Sequence, residues 1–387
     1  MGEGGHAVAT YLDVAATTRV ERRVADVVLH WMTVEFGNAG SRTHEYGARA
    51  KKAVHEAREF IAGTVKAKSD ELIFTSGATE SNNIALLGLA AHGEETGRRH
   101  IVTSAIEHKA VLEPLEHLEG RGFEVDYLEP GPRGRVSAEA VMERVRPDTL
   151  LVSLMHVNNE TGIIQPVAEL AERLRKTSTF LHVDAAQGYG KVPEDLRAPI
   201  DLISISGHKV GAPKGVGALV IRRRGWDRNP LRPIMFGGGQ ERKLRPGTLP
   251  VPLIMGFAEA AKVAVAEHDR WLRESRRVRE KLLSALGKTR FHLNGDQAHA
   301  VPHIINLSFQ DVDAERLIVR LKDQVAVATG SACTSASYTA SHVLTAMKLP
   351  DEVVTNGLRL SWHPGQVMDL DVDRLAETIA AMQSGMA

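Results

Sequence analysis

Predicted strands and helices alternate between residues 71 and 222, and this alternation constrains the fold more than any other feature. Short apolar runs typical of strands lie at 71–75, 100–104, 123–128, 149–155, 179–183, 202–206 and 217–222. Helical stretches lie between them at 77–92, 110–118 and 167–175. This β-α-β order predicts an α/β fold with a doubly wound, mostly parallel sheet.

The pattern changes after Gly237-Gly-Gly239. A long helix rich in charged residues is predicted from Phe257 to Leu286, and such a helix can bridge a large and a small domain. Strands predicted at 304–308, 325–328 and 357–361 then suit a smaller α+β unit. We therefore expect two domains with a boundary near residue 262, in keeping with a length of 387 residues.

The charge balance argues against partners that bind through a large electrostatic field. The 48 lysines and arginines equal the 48 aspartates and glutamates, so we expect no direct nucleic-acid binding and no membrane binding. We find no apolar run long enough to span a membrane and no signal-peptide pattern. The single cysteine, Cys333, excludes an internal disulfide and indicates a reducing, cytoplasmic location.

A lysine stands just after the predicted strand 202–206, in the sequence Ser206-Gly-His-Lys209. Open α/β sheets bind their ligands beyond the carboxyl ends of the strands, which is where this lysine would lie. A lysine amine in such a place can form a Schiff base with a carbonyl cofactor. The alternative is an ordinary solvated lysine in a turn, and Lys209 alone does not decide between them.

Asp184 ends the preceding predicted strand, with Gln187 three residues later. A carboxylate here can hold the protonated pyridine nitrogen of pyridoxal phosphate and so keep the ring an electron sink. The alternative is a capping aspartate. Asp184 and Lys209 should stand on neighbouring strand ends, and the pair indicates a pyridoxal-phosphate enzyme. We predict no metal site.

Three further polar motifs follow strand ends. In Thr75-Ser-Gly-Ala-Thr-Glu80, the backbone N–H groups at a helix start can bind an anion, although a plain N-cap is the alternative. His108 follows another strand, where a lone histidine is more often structural. The cluster Asn158-Asn-Glu-Thr-Gly162 holds more polar groups than the turn that is its alternative would need.

Cys333 lies among small residues, in Gly330-Ser-Ala-Cys-Thr-Ser335. Such a segment has little ability to form a core, so we expect a mobile loop that could carry a thiolate into a pocket. Arg359 stands between leucines in a predicted strand, where its planar guanidinium suits a substrate carboxylate. An ion pair at a domain interface would explain Arg359 equally well.

Together these motifs resemble those of the cysteine desulfurases, a family of fold-type I pyridoxal-phosphate transferases. The resemblance runs from Tyr11-Leu-Asp-Val-Ala-Ala-Thr-Thr18 to Arg359, which is nearly the whole chain. Its strongest motifs are Ser76-Gly-Ala-Thr-Glu-Ser-Asn-Asn83, Asn158-Asn-Glu-Thr-Gly162, His182-Val-Asp-Ala-Ala-Gln187, Ser206-Gly-His-Lys209, Gly247-Thr-Leu-Pro250 and Gly330-Ser-Ala-Cys-Thr-Ser335. It implies an arm, 1–22, that packs with the small domain, a large cofactor-binding domain, 23–262, and a small domain, 263–387, that carries the cysteine loop.

The resemblance implies a role for each residue of the cofactor site. Lys209 would carry the cofactor as a Schiff base and move protons at the substrate Cα, and Asp184 would pair with the pyridine nitrogen. Gln187 would hydrogen-bond the ring hydroxyl, and His108 would stack on the ring and act in acid–base steps. The phosphate would be held by Ala78, Thr79, Ser206 and His208.

The remaining implied roles concern the substrate and the partner subunit. Asn159 would contact both cofactor and substrate, and Arg359 would bind the carboxylate of L-cysteine. Cys333 would take the sulfur as a persulfide, leaving L-alanine, so that activity should fall at low pH, where the thiolate is lost. Thr248 would reach the phosphate of the partner subunit, which implies a homodimer with shared active sites.

The acceptor of the sulfur is left open between two classes of protein. The small-residue loop resembles the family branch with an extended cysteine loop, which favours cysteine over selenocysteine and transfer to a protein. The run Cys333-Thr-Ser-Ala-Ser-Tyr338 resembles the desulfurases of bacterial DNA phosphorothioation, and the chain ends sooner after Arg359 than iron–sulfur members that dock a scaffold protein. Trp362-His-Pro-Gly365 departs from the family pattern, so the rim of the pocket is expected to differ.

Two other classes of function remain as alternatives. An aminotransferase of the same fold would use Lys209 and Asp184 but would give Cys333 no task. A non-catalytic interaction protein could keep the fold, but it would not need Lys209, Asp184, His108 and Cys333 together. Production of sulfide and alanine from L-cysteine would distinguish a desulfurase from an aminotransferase. Absorbance of bound cofactor would distinguish an enzyme from a non-catalytic interaction protein.

Overall fold

A computed structural model describes residues 9–225, 230–329, 340–363, 367 and 370–385. The strands are β1 (Thr10–Tyr11), β2 (Leu72–Thr75), β3 (His100–Ser104), β4 (Glu124–Leu128), β5 (Thr149–Met155), β6 (Phe180–Asp184), β7 (Leu202–Ser206), β8 (Gly217–Ile221), β9 (Phe291–Leu293), β10 (Ile304–Phe309), β11 (Val325–Ala326) and β12 (Gly357–Ser361). The helices are α1 (Arg22–Thr33), α2 (Glu45–Thr64), α3 (Ala78–Thr96), α4 (Lys109–Glu119), α5 (Ala138–Arg144), α6 (Val167–Leu174), α7 (Val251–Leu286), α8 (Ala314–Leu321), α9 (His342–Ala346), α10 (Asp351–Thr355) and α11 (Val372–Gln383).

The large sheet confirms the predicted fold class. Its strand order is β2-β8-β7-β6-β5-β3-β4, and the five strands from β7 to β4 run parallel. β8 runs antiparallel to both β7 and β2. The ten residues between β7 and β8 hold only a short helical turn, Gly207–Lys209, which is too short for the crossover that a parallel partner would need.

Helices cover both faces of this sheet, so its strands are buried throughout. Leu202 packs into a core with α3 and α4, while Ile203 and Ile205 pack on the opposite face with α2 and α7. The alternation follows from the two-residue period of a strand. It also explains why the central strands are continuous apolar runs, as expected for a sheet buried on two sides.

A second core surrounds a three-stranded antiparallel sheet with the order β12-β10-β9. α8 and α11 pack against it, together with the buried Trp362. β1 pairs in parallel with β11, with Thr10 opposite Val325, and Leu12 donates a backbone hydrogen bond to Ala326 at 2.9 Å. Residues 10–12 of the N-terminal arm thus lie against this second unit.

α7 runs from one core to the other. It begins at Val251, six residues before its predicted start. Pro252 lies in the first turn, and a proline is tolerated there because the N–H groups of the first turn have no partner within the helix. The expected boundary at residue 262 falls inside this continuous helix, so the division into 23–262 and 263–387 stays a prediction. Within the described residues, no helix has the length and apolar content required to traverse a bilayer.

Candidate active site

A cavity of about 490 Å³ lies beyond the carboxyl ends of β5, β6 and β7. Most residues singled out in the sequence line it, although they come from distant segments. They are Ala78, Thr79, His108, Asn159, Asp184, Gln187, Ser206, His208, Lys209 and Arg359. The parallel order of the strands explains their meeting, since the carboxyl ends of parallel strands share one edge.

Lys209 ends the short helical turn that follows β7. Gly207 starts this turn, and a Cβ there would stand 2.9 Å from the carbonyl oxygen of Val216, so the close return of the chain requires glycine. The Lys209 Nζ donates hydrogen bonds to the carbonyls of Ala15 and, at 2.8 Å, Ala16. The N-terminal arm therefore forms part of the wall beside the lysine.

Asp184 is buried at the end of β6, on the strand next to that of Lys209. Its Oδ2 accepts a hydrogen bond from Asn82 Nδ2 at 2.8 Å, and its Oδ1 accepts one from the Ala186 N–H at 2.9 Å. Both of these donors are neutral groups. The carboxylate suits a protonated ring nitrogen as its counterion.

Asn82 was quoted in the sequence only as part of a motif, and its role was missed. It lies on α3 four residues after Ala78, so both side chains occupy the same face of the helix and both line the cavity. This four-residue spacing was the sequence signal that could have identified Asn82 as a cavity residue. The Asn82 Oδ1 is buried and has no hydrogen-bond partner among the described residues.

His108 is the N-cap of α4, and its Nδ1 accepts a hydrogen bond from the Ala110 N–H at 3.0 Å. Burial lowers the pKa of His108, although the nearby Asp184 opposes this effect. A neutral ring that accepts at Nδ1 carries its hydrogen on Nε2. His108 therefore caps α4 and also lines the cavity.

Glu107 is a second residue that the sequence analysis missed. Its side chain is fully buried, and its Oε1 accepts hydrogen bonds from Ser104 Oγ at 2.6 Å and from the Met155 N–H at 2.9 Å. Burial raises the pKa of Glu107 to about 8. The residue is therefore a protonated carboxyl group at neutral pH, directly next to His108. No sequence pattern marked it.

The first turn of α3 lies at the cavity, where the sequence predicts an anion site. Its N-cap is Gly77, so the N–H groups of Ala78 and Thr79 belong to the unpaired start of a helix beside the cavity. A Cβ on Gly217 would meet Gly77 Cα at 2.6 Å, so glycine is needed for the strand to approach this loop.

Ser206 ends β7 and His208 follows it, and both line the same cavity as the first turn of α3. The His208 Nδ1 is 3.1 Å from Thr17 Oγ1, which ties it to the arm. Burial, and then the charge of Lys209, lowers the pKa of His208 to about 4. The ring is therefore neutral at physiological pH, and the positive charge at this edge comes from lysines.

Arg359 makes the ion pair considered for it and also lines the cavity, while its binding of a substrate carboxylate stays a prediction. It is buried, and its Nη2 pairs with Asp13 Oδ1 of the arm at 2.6 Å. Its Nη1 donates to the backbone oxygen of Asn159 at 3.1 Å, and the side chain also lines the cavity. The interface ion pair thus holds a guanidinium at the position where a substrate carboxylate could bind.

Gln187 also links the cavity to the arm, because its Nε2 donates to the Ala15 carbonyl at 2.7 Å. Its Oε1 is buried without a hydrogen-bond partner among the described residues. Thr248 is exposed and is not among the residues that line this cavity. Cys333 lies outside the described residues.

The residues of this cavity fit pyridoxal phosphate. A lysine and an aspartate stand on adjacent strand ends, a histidine borders the same space, and a helix start offers unpaired N–H groups for a phosphate. The buried Gln187 Oε1 and Asn82 Oδ1 still lack partners in the described part of the chain. A polar ring and its substituents would satisfy such groups.

Comparisons with known proteins agree with this geometry. The model of the class-V aminotransferase family matches residues 10–375. Cysteine desulfurase IscS of Escherichia coli O139:H28 is 46% identical over 355 residues, which span 91% of this chain and 87% of IscS. The structure of DndA from Streptomyces lividans is 71% identical, covers 92% of this chain and 99% of that chain, and has a TM-score of 0.81. The structure of SspA in complex with cysteine is 36% identical, with the same coverage and a TM-score of 0.81.

Proposed function

Because the chain belongs to the class-V aminotransferase family and is a pyridoxal-phosphate-dependent cysteine desulfurase, we propose that it moves the sulfur of L-cysteine onto Cys333 and then to an acceptor protein. The observation that carries the proposal is the single cavity lined by Lys209, Asp184, His108 and Arg359. Two of these residues suit the cofactor, and the other two suit an amino-acid substrate.

The cofactor half of the site has a clear division of tasks. Pyridoxal phosphate, when bound, supplies an electron sink for the pair released from the substrate Cα–H bond. Asp184, held by Asn82 and the Ala186 N–H, provides the negative charge for the ring nitrogen. Lys209 is the proposed anchor and the base that moves the Cα proton. Ala78, Thr79, Ser206 and His208 are the proposed phosphate contacts.

The substrate half rests on Arg359 and Asn159, which are joined by the 3.1 Å hydrogen bond. We assign the substrate carboxylate to the Arg359 guanidinium, whose planar fork can bind both of its oxygens. His108 presents its Nε2–H to the same cavity and is the proposed proton donor and acceptor near Cα and Cβ.

Sulfur transfer then needs no external oxidant. The thiolate of Cys333 attacks the sulfur of L-cysteine, so that an S–S bond forms and the substrate Cβ–S bond breaks. The electron pair of the broken bond remains with the carbon fragment, which takes up protons and leaves as L-alanine. Cys333 is left as a persulfide, and one thiol of an acceptor protein can then remove the terminal sulfur.

The direct test compares Cys333→Ser with Ser335→Ala in the same segment. We expect both variants to keep the absorbance of bound cofactor, and only Cys333→Ser to lose alanine and sulfide production from L-cysteine with a thiol reductant. Wild-type activity should fall at low pH because the attacking thiolate is protonated. Equal rates for wild type and Cys333→Ser at every pH would refute the assignment.

We favour a DNA phosphorothioation partner over an iron–sulfur scaffold as the acceptor. The support is the 71% identity to DndA against 46% to IscS. L-cysteine labelled with radioactive sulfur would be supplied to the enzyme together with both classes of candidate acceptor. Preferential labelling of an iron–sulfur scaffold would contradict this choice.

The assembly and compartment form part of the same proposal. A homodimer is supported by exposed apolar side chains on and after α1, of which Phe36 is 65% exposed, and by the position of Thr248 outside its own cavity lining. The lone cysteine fits a reducing cytoplasm. Sedimentation of the holoenzyme would test the dimer.

A further inference from the structure

A second, smaller cavity lies beside Lys209, between the arm, α7 and the end of β12. Its volume is about 70 Å³, and part of its wall is apolar, formed by Val14, Val210 and Leu272. Lys191, His303, Trp362 and His363 also line it. Trp362 and His363 belong to the stretch in which the sequence departs from the family pattern. The proposed desulfurase chemistry uses none of these four residues.

The polar atoms of these four side chains share an unusual property. Lys191 Nζ, His303 Nε2, Trp362 Nε1 and His363 Nδ1 are all buried, and none has a hydrogen-bond partner within the described residues. The whole Trp362 side chain is 1% exposed, and His303 is 8% exposed. Buried polar groups are nearly always satisfied, so four in one small space indicate a ligand.

The fold brings these groups together by specific contacts. Gly190 has a φ of +73°, and its Cα lies so close to Ala264 and Val210 that a Cβ would be crowded at 3.1 and 3.2 Å. This turn directs Lys191 towards the interior. On the other side, the backbone N–H of Trp362 donates to the His303 carbonyl at 3.1 Å, which fixes the two residues side by side.

Basic side chains outnumber acidic ones in the lining of this cavity. Lys191 and Lys209 both line it, and Arg19 lies at its edge. Burial, and then the charge of Lys209, lowers the pKa of Lys191 to about 7, as expected for an ammonium group that lacks a counterion. Glu21 is the one acid among the described lining residues, and its carboxylate is engaged by Arg23 at 3.0 Å.

We propose that this cavity binds a small monovalent anion of the halide type, held by the Lys191 ammonium and the Trp362 indole N–H. The two imidazole rings complete the site in the tautomers that carry hydrogen on His303 Nε2 and His363 Nδ1. An anion is favoured over a cation because an ammonium and an indole N–H can only donate hydrogen bonds. The size is set by the volume, which accommodates a halide ion and a few water molecules.

Crystals of the holoenzyme soaked in sodium bromide provide the first test. We expect an anomalous difference peak from bromide between Lys191 and Trp362 in the wild type, and its loss in Lys191→Met. Water molecules alone in the wild-type cavity would overturn the proposal. Bromide that keeps full occupancy in Lys191→Met would overturn it as well.

Thermal unfolding in solution gives an independent test, since a ligand that binds only the folded state stabilises it. The holoenzyme is measured in sodium bromide and in sodium gluconate at equal ionic strength, because gluconate is too large for the cavity. The gain in Tm in bromide should disappear in Lys191→Met and persist in Lys262→Met, whose lysine is 54% exposed on α7.

Trp362→Phe is the second variant, and it carries the test if Lys191→Met does not fold. It removes the indole N–H but keeps an aromatic ring, so we expect bromide to give a smaller gain in Tm than in the wild type. The same bromide effect in wild type and Trp362→Phe would contradict the role of Trp362. Neither the bromide peak nor the change in Tm measures sulfur transfer. Failure of the anion-site proposal would therefore leave the desulfurase assignment unchanged, and loss of that assignment would leave the anion site unchanged.

Discussion

Asn82 is a residue whose effect on the cofactor can be separated from its effect on the fold. Its Nδ2 holds Asp184 at 2.8 Å, and a hydrogen bond to a charged group contributes about 1.5–3 kcal/mol. We therefore expect Asn82→Leu to weaken cofactor binding by roughly tenfold or more, measured by titration of the bound-cofactor absorbance. As a positioning residue, it should also shift that absorbance maximum.

The matched control is Asn83→Leu, because the half-buried Asn83 side chain donates to the Thr79 carbonyl of its own helix at 2.9 Å and not to Asp184. This variant should keep the wild-type affinity and absorbance maximum. If the two variants weakened cofactor binding equally, damage to α3 would explain the result, and Asn82 would have no specific role towards Asp184.

Glu107 predicts a pH dependence of stability. Its pKa is about 8 in the folded protein, against an ordinary value of 4.5. Between these values the folded state holds a proton that the unfolded state has released, so the free energy of unfolding falls as pH rises. The decline should reach up to about 1.4 kcal/mol per pH unit, and it should level off above pH 8 and below pH 4.5.

Glu107→Gln removes this titration while keeping an oxygen that accepts from Ser104 and Met155. The variant should therefore show a shallower fall in unfolding free energy from pH 5 to 8, measured by denaturant titration of the holoenzyme. Glu113→Gln, at an exposed position on α4, serves as the control and should follow the wild type. A slope unchanged in Glu107→Gln would show that Glu107 is ionised in the folded state.

These residues show how far the sequence predicted the site. Asp184 and Lys209 were predicted together because each ends an apolar strand, and parallel strands place such ends at one edge. Glu107 was not predicted, because its burial depends on the Met155 N–H of another strand, and sequence spacing does not show that contact. The sequence could predict roles that depend on a residue's position in its own strand or helix. It could not predict roles that depend on contacts with distant segments.

At the scale of elements, the arm is the structural link between the two cores. Its Asp13 pairs with the buried Arg359 of β12 at 2.6 Å. Removal of one partner from a buried ion pair typically costs about 3–5 kcal/mol, because the other charge stays buried. We expect Asp13→Asn to lower the free energy of unfolding by about 3 kcal/mol, measured by denaturant titration.

Asp26→Asn is the control, since Asp26 pairs with Arg22 on the surface of α1 and is 54% exposed. Such a pair contributes little, so the change should be within about 0.5 kcal/mol of the wild type. Equal losses in Asp13→Asn and Asp26→Asn would mean that the arm does not stabilise β12 through this ion pair.

Elements differed in how well they could be predicted. The apolar strands of the large sheet were found because burial on both faces makes each a continuous run. Helices were predicted less evenly, since the eight-residue α6 was found, whereas α5, α8 and the twelve-residue α11 were missed. The pairing of β1 with β11 joins residues more than 300 positions apart, and each strand is two residues long, so no local pattern marks it.

The proposed homodimer implies that two subunits share each active site. Thr248 lies on an exposed loop just before α7, outside the lining of its own cavity. The side chains of Leu29, Met32 and Phe36 are all more than half exposed, although they are apolar. Apolar side chains exposed together are typical of a surface that a partner covers, which supports a shared site.

A mixed dimer tests this sharing. Lys209→Ala removes the proposed anchor, whereas Thr248→Glu would place a negative charge beside the phosphate of the partner's cofactor and repel it. Each homodimer should therefore be inactive.

In a mixed dimer, one site combines the intact Lys209 of one subunit with the intact Thr248 of the other, so desulfuration should return to about half of the wild-type activity per dimer, as site counting requires. If Thr248 acts within its own chain, neither site is complete and mixing restores nothing. Mixing Lys209→Ala with Asp184→Ala is the control, because both changes affect residues lining the same cavity of one chain, so every site of this mixed dimer keeps one defect. That control should recover nothing. Formation of the mixed dimers is checked by native mass spectrometry, and a mixed Lys209→Ala/Thr248→Glu dimer that stays inactive would exclude a shared site.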